Sequence, residues 1–96
     1  MCEDLAPGGR VIIADDHQLV RESIVAVLSA TGCCRIVGQA ADGHEALALC
    51  ERLSPDVAVI DLSMPGLGGL EVVRRLAERS PKTRCLVLTM HEDEEY

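Results

Sequence analysis

Two kinds of hydrophobic spacing alternate along the chain and divide it into elements. Unbroken apolar runs stand at Val11-Ile12-Ile13-Ala14, Val57-Ala58-Val59-Ile60 and Cys85-Leu86-Val87-Leu88, the form taken by parallel strands covered on both faces. Between them the apolar residues recur three and four positions apart, the period of an amphipathic helix. Val20, Ile24, Val27 and Leu28 mark a first helix, which Gly32 stops. Ile36 to Ala41 reads as a further strand, and Asp42-Gly43-His44-Glu45 supplies an acidic N-cap with Glu three residues on. The second helix runs to about Leu53, with Ala46, Leu49, Cys50 and Leu53 as its apolar face. Ser54-Pro55 ends it, because the residue before a proline is pushed out of the α region. After the strand Val57 to Ile60 comes a Pro/Gly-rich loop, Leu62 to Gly69, then a helix with Leu70, Val73 and Ala77 on one face, ended by Ser80-Pro81. Arg84 to Leu88 forms the last strand, and His91 to Glu95 offers the acidic first turn that a helix dipole favours. This repeated β-α order predicts right-handed crossovers and a parallel sheet with helices on both faces.

The chemistry falls at the strand ends. Asp15-Asp16 follow the first run, Asp61 the run at Val57, and Thr89 the run at Cys85. In a parallel sheet these ends share one edge, where open α/β folds place their ligands. Carboxylates converging there repel by ~3 kcal/mol per pair at ~5 Å and an effective dielectric of ~20, so a counter-charge is needed. All-oxygen ligands point to Mg2+. Taken alone, Asp15 and Asp16 serve equally well as caps of the helix that follows; Asp61 and Thr89 in register tip the reading to a metal role. His17, His44 and His91 lack ligand spacing and read as solvated side chains. Gly68-Gly69 reads as turn geometry, since no Lys-Ser/Thr follows as in a P-loop.

Composition narrows the classes. Ninety-six residues make one small domain. A net charge of −7 with one Tyr and no Phe or Trp excludes both a phosphate-tracking basic face and base stacking, so this chain is not expected to bind nucleic acid by itself. No segment is long and apolar enough to span a bilayer, and residues 1–9 lack the features of a signal peptide, so the cytoplasm is the expected compartment. The five cysteines, Cys2, Cys33, Cys34, Cys50 and Cys85, fit neither a disulfide framework nor a zinc site. Cys50 and Cys85 read as small core hydrophobes, and Cys2 and the Cys33-Cys34 pair as exposed thiols.

The segments Val11 to His17, Val57 to Gly66 with Gly69, and Leu86 to His91 together resemble the receiver domain of two-component response regulators, over nearly the whole chain. Asp-Asp-His near the start and Thr-Met-His-Glu-Asp-Glu-Glu-Tyr at the end are similar to the subfamily with a helix-turn-helix (LuxR/NarL-type) output domain. The resemblance implies a flavodoxin-like sheet of order 2-1-3-4 and a phosphoacceptor role for Asp61, charged by a phosphohistidine of a sensor histidine kinase. It further implies that Asp15, Asp16, Asp61 and the Ser63 carbonyl hold Mg2+, with Asp15 acting mainly through water. Thr89 would sense the phosphoryl group, and Met90 and His91 would tune its lifetime. A receiver continues through a fourth helix, a fifth strand ending in lysine and a fifth helix. Lys82 precedes the fourth strand and is not that lysine, so residues 1–96 read as a receiver truncated before the end of its fourth helix. The fourth strand would then be an open edge, available to a second copy or to a domain swap. DNA contact is expected only through an output domain. The expected role is a switch and not a turnover enzyme. Two alternatives stand beside it: a metal-dependent aspartate-nucleophile phosphatase, disfavoured because Ser63 occupies the general-acid position, and an unphosphorylated receiver-like interaction module or inactive fragment.

Overall fold

The alternating runs become seven elements in the computed structural model, which describes residues 9–64 and 66–88. In chain order they are β1 (Gly9–Ala14), α1 (Gln18–Thr31), β2 (Cys34–Ala40), α2 (Gly43–Leu53), β3 (Val57–Asp61), α3 (Gly69–Arg79) and β4 (Arg84–Leu88). The strands are all parallel in the order β2-β1-β3-β4, the expected flavodoxin-like arrangement, with β1 and β3 central and β2 and β4 at the edges.

Successive strand residues point to opposite faces, and this splits the core in two. Ile12, Ala14, Ala58 and Ile60 pack on one side against Ala46, Leu47 and Cys50 of α2 and Val72 and Leu76 of α3. Val11, Ile13, Val57 and Val59 pack on the other against Ile24, Val25 and Leu28 of α1. Because β1 and β3 are covered on both faces, their sequences need no alternation, and Val11 to Ala14 and Val57 to Asp61 are all buried. Helix α1 lies over β1 and β2, and no residue of it is fully buried. Val27 of its expected apolar face is 64% exposed. It lines, with Val20, Ile24, Leu28, Leu86 and Leu88, an apolar cavity of about 480 Å3 beside β4.

Local signals set most of the boundaries. Asp42 Oδ1 accepts from the Glu45 N–H at 2.8 Å, and Glu45 Oε1 accepts from the Ala41 N–H at 2.8 Å, a reciprocal cap on α2. Gly32 closes α1 at φ 72, the left-handed geometry that glycine adopts freely. Helix α2 does end at Ser54, but in the left-handed region (φ 47) and not in the extended form expected before Pro55. Arg10 holds that turn by donating from Nη1 to the carbonyls of Leu53 at 2.6 Å and Ser54 at 3.2 Å.

The face of α3 is the clearest correction. Gly69, Val72 and Leu76 are buried, whereas Leu70 is 71% exposed, Ala77 is exposed and Val73 only half-buried. A Cβ on Gly69 would stand 2.5 Å from the Asp61 carbonyl oxygen, so the helix starts in direct contact with the end of β3 and is rotated by that contact. Cys50 is buried in the core and Cys85 packs against it, as small apolar groups; Cys34, Cys50 and Cys85 are free, and burial pushes the Cys50 thiol up to about 12. Cys33 and Cys34 are half-buried, less open than expected. Among the described residues no helix is long and apolar enough to cross a membrane.

Candidate metal centre

The sheet delivers Asp15 and Asp61 to the same edge by extending its ladders one residue past the apolar runs. The Asp15 N–H donates to the Ala40 carbonyl at 3.0 Å, and the next N–H after Asp61, that of Leu62, donates to the Leu88 carbonyl at 3.1 Å. Arg21 of α1 adds a bond from Nη1 to the Asp15 carbonyl at 2.7 Å. Both carboxyls are then oriented alike, each by an N–H two residues on. Asp15 Oδ1 accepts from His17 N at 2.8 Å and Asp61 Oδ1 from Ser63 N at 3.1 Å, the local turn that aspartate side chains form.

One oxygen of each carboxyl is thereby satisfied and the other is not. Asp15 and Asp61 are each only 1% exposed, yet Asp15 Oδ2, Asp61 Oδ2 and Asp16 Oδ1 are buried without a hydrogen-bond partner. Three unpartnered carboxylate oxygens in one place are costly unless a cation satisfies them. Ligand atoms of Asp15, Asp16, His17 and Asp61 all lie within 4.8 Å of one another, a spacing that one ion spans. The donor set therefore fits a hard divalent cation. Burial is the largest effect raising the Asp61 carboxyl above its ordinary value; Asp15 and Asp16 push the same way, while the Ser63 N–H and His17 oppose them.

Asp15, Asp16 and Asp61 thus meet as the strand-end pattern implied, and the Ser63 backbone lies against Asp61. Thr89, Met90 and His91 lie outside the described residues. Asp61 is in register with Leu88, the residue before Thr89. Two features were missed by sequence reasoning. His17 is exposed as expected, but its Nδ1 joins the cluster, 3.1 Å from Asp16 Oδ1 and 3.5 Å from Asp15 Oδ1; its adjacency to the acidic pair was the available signal. Met64, read as loop, is 4% exposed and anchors the segment after Asp61 in the core.

Comparison with known proteins agrees with this geometry. Residues 11–96 match the family described as the response regulator receiver domain. The chain is 39% identical over 87 residues to the transcriptional regulatory protein DegU of Brevibacillus brevis, covering 91% of this chain and 37% of that protein. It is 40% identical over 84 residues to the NarL transcriptional regulatory protein of Mycobacterium tuberculosis, covering 88% and 39%. The solved signal receiver domain of M. tuberculosis NarL superposes with a TM-score of 0.84 at 39% identity, over 92% of this chain and 71% of that one. RcsB of Salmonella enterica, solved on promoter DNA with a phosphomimetic, superposes at 0.81 with 30% identity, over 90% and 44%. The chain spans about two fifths of the length of these curated relatives.

Proposed function

This chain belongs to the response regulator receiver domains, with relatives of the LuxR/NarL type, and from that premise we propose that it is a phosphoryl-controlled switch with Asp61 as its acceptor. The observation that carries the reading is the set of buried, unpartnered oxygens on Asp15, Asp16 and Asp61 at one sheet edge. Asp15, Asp16, Asp61 and the Ser63 carbonyl would hold Mg2+, with Asp15 acting largely through water. When bound, the cation neutralises phosphoryl oxygens and screens the three carboxylates.

The remaining chemistry belongs to the side chains. The Asp61 Oδ1 bond to Ser63 N–H fixes the carboxyl plane and leaves Oδ2 as the nucleophile. Oδ2 attacks the phosphorus of a phosphohistidine on a sensor kinase, the P–N bond breaks, and the departing imidazole nitrogen takes a proton from solvent. The product is an acyl phosphate on Asp61. Thr89, next after the strand end beside Asp61, would donate its hydroxyl to a phosphoryl oxygen and draw the following segment inward. Met90 and His91 would govern access of water to the acyl phosphate and so its lifetime. Ser63 carries no carboxylic acid to protonate a leaving group, which sets the phosphatase reading aside. In the full-length protein the response would pass to a DNA-binding output domain in the cytoplasm; in residues 1–96 taken alone, the edge strand β4 would be the surface for pairing with a second copy.

The test is intact mass after incubation with a small acyl phosphate and Mg2+. One phosphoryl adduct is expected, absent in Asp61→Asn and absent with a chelator. No adduct, either here or on a chain extended to the full receiver length, would overturn the proposal.

A further inference from the structure

His17 is not used by the phosphoryl chemistry above, yet its ring nitrogen stands among the carboxylates. It occupies the N-cap position of α1 without a side-chain cap hydrogen bond, so its ring serves no capping role. Nor does its approach to Asp16 satisfy that residue: Nδ1 comes to 3.1 Å from Asp16 Oδ1, but the oxygen remains without a hydrogen bond. Neighbouring ligands on a six-coordinate ion with bonds of ~2.1 Å sit ~3.0 Å apart. The 3.1 Å from Nδ1 to the unpartnered Asp16 Oδ1 is compatible with that edge length, and a ligand atom from each of Asp15, Asp16, His17 and Asp61 lies within 4.8 Å of the others.

We propose that His17 Nδ1 is an additional ligand of the cation held by Asp15, Asp16 and Asp61, and that it biases the site toward a first-row transition cation such as Mn2+. The inference rests on the metal-binding reading above. The unpartnered Oδ2 atoms of Asp15 and Asp61, on side chains more than nine-tenths buried, define where the ion sits. His17, 67% exposed, supplies the nitrogen from the solvent side. An imidazole nitrogen adds little for Mg2+, which prefers oxygen, and more for Mn2+ and the later divalent metals. The consequence is a receiver whose metal selectivity is set by the residue after its acidic pair.

Pulsed EPR of the Mn2+ complex of the tag-free chain tests it directly, alongside calorimetric titration of Mn2+ and Mg2+. Expected are nitrogen modulation in the wild type, its loss in His17→Ala, and affinity for Mn2+ falling by about tenfold or more in that variant while that for Mg2+ stays nearly unchanged. Binding of both cations with no nitrogen modulation, and no selective loss in His17→Ala, would overturn the ligand role and leave the metal site standing. Binding of neither cation would overturn both.

Discussion

Replacing Asp61 by the isosteric Asn isolates the electrostatic strain of the acidic cluster. The ligand atoms of Asp15, Asp16 and Asp61 lie within 4.8 Å of one another, so each pair of charges repels by about 3.5 kcal/mol at an effective dielectric of ~20. Asp61 faces two such neighbours, relieved in part by the Ser63 N–H and by His17. A net gain of about 1–3 kcal/mol is expected for Asp61→Asn in chelator at neutral pH, or roughly 4–8 °C in Tm per kcal/mol for a domain of this size. Urea denaturation measures it. The pH dependence follows from the raised carboxyl: the folded state binds the Asp61 proton more tightly than the unfolded chain, whose value is 3.8. Stability from this group is therefore full below about 3.8 and lost as pH rises through the higher folded value. The gap between variant and wild type should be closed at low pH and widen as pH rises through that window. Mg2+ should then reverse the order, because the wild type gains the larger binding term, about 4.1 kcal/mol at a thousandfold excess over Kd. An Asn variant no more stable than wild type in chelator would refute the reasoning.

Four further substitutions test how the fold holds the site. Gly69→Ala would bring a Cβ to 2.5 Å from the Asp61 carbonyl oxygen and 2.7 Å from Leu62 Cα; a loss of about 1–3 kcal/mol in denaturation is expected, with weakened Mg2+ binding. At Gly68, the N-cap of α3, the space is open, so Gly68→Ala should lose only the capping preference of glycine over alanine, about 0.5–1 kcal/mol by the same measurement. In α3, Leu76→Ala should cost about 2–5 kcal/mol because Leu76 is fully buried, and Leu70→Ala less than about 0.5 kcal/mol; equal costs in thermal melts would mean the helix is rotated differently.

The strands and the acidic edge were legible in the sequence because each rests on a local property. A strand covered on both faces is apolar throughout, so Val11 to Ala14 and Val57 to Ile60 announce themselves without a choice of face. The next residue of a parallel strand falls on a shared edge whichever way the helices pack. That is why the sequence pattern alone places Asp15, Asp16 and Asp61 together. The cap formed by Asp42 and Glu45 is equally local.

Helix faces were not decided locally. Helix α3 carries two interleaved stripes, Gly69/Val72/Leu76 and Leu70/Val73/Ala77, and periodicity admits both. Tertiary contact chose the first, since glycine at 69 allows the helix to touch the Asp61 carbonyl. The same holds for α1, whose position over β1 and β2 leaves Val27 exposed although it keeps the helical spacing. His17 Nδ1 turned toward the carboxylates for a reason no spacing rule contains: the ladder bond of Asp15 to Ala40 and the Arg21 bond to the Asp15 carbonyl fix the backbone from which it projects. Sequence alone determined which residues reach the edge, because hydrophobic pattern and strand direction are one-dimensional. Only the tertiary structure decided which side chains turn inward there, because that depends on surfaces brought together from distant segments.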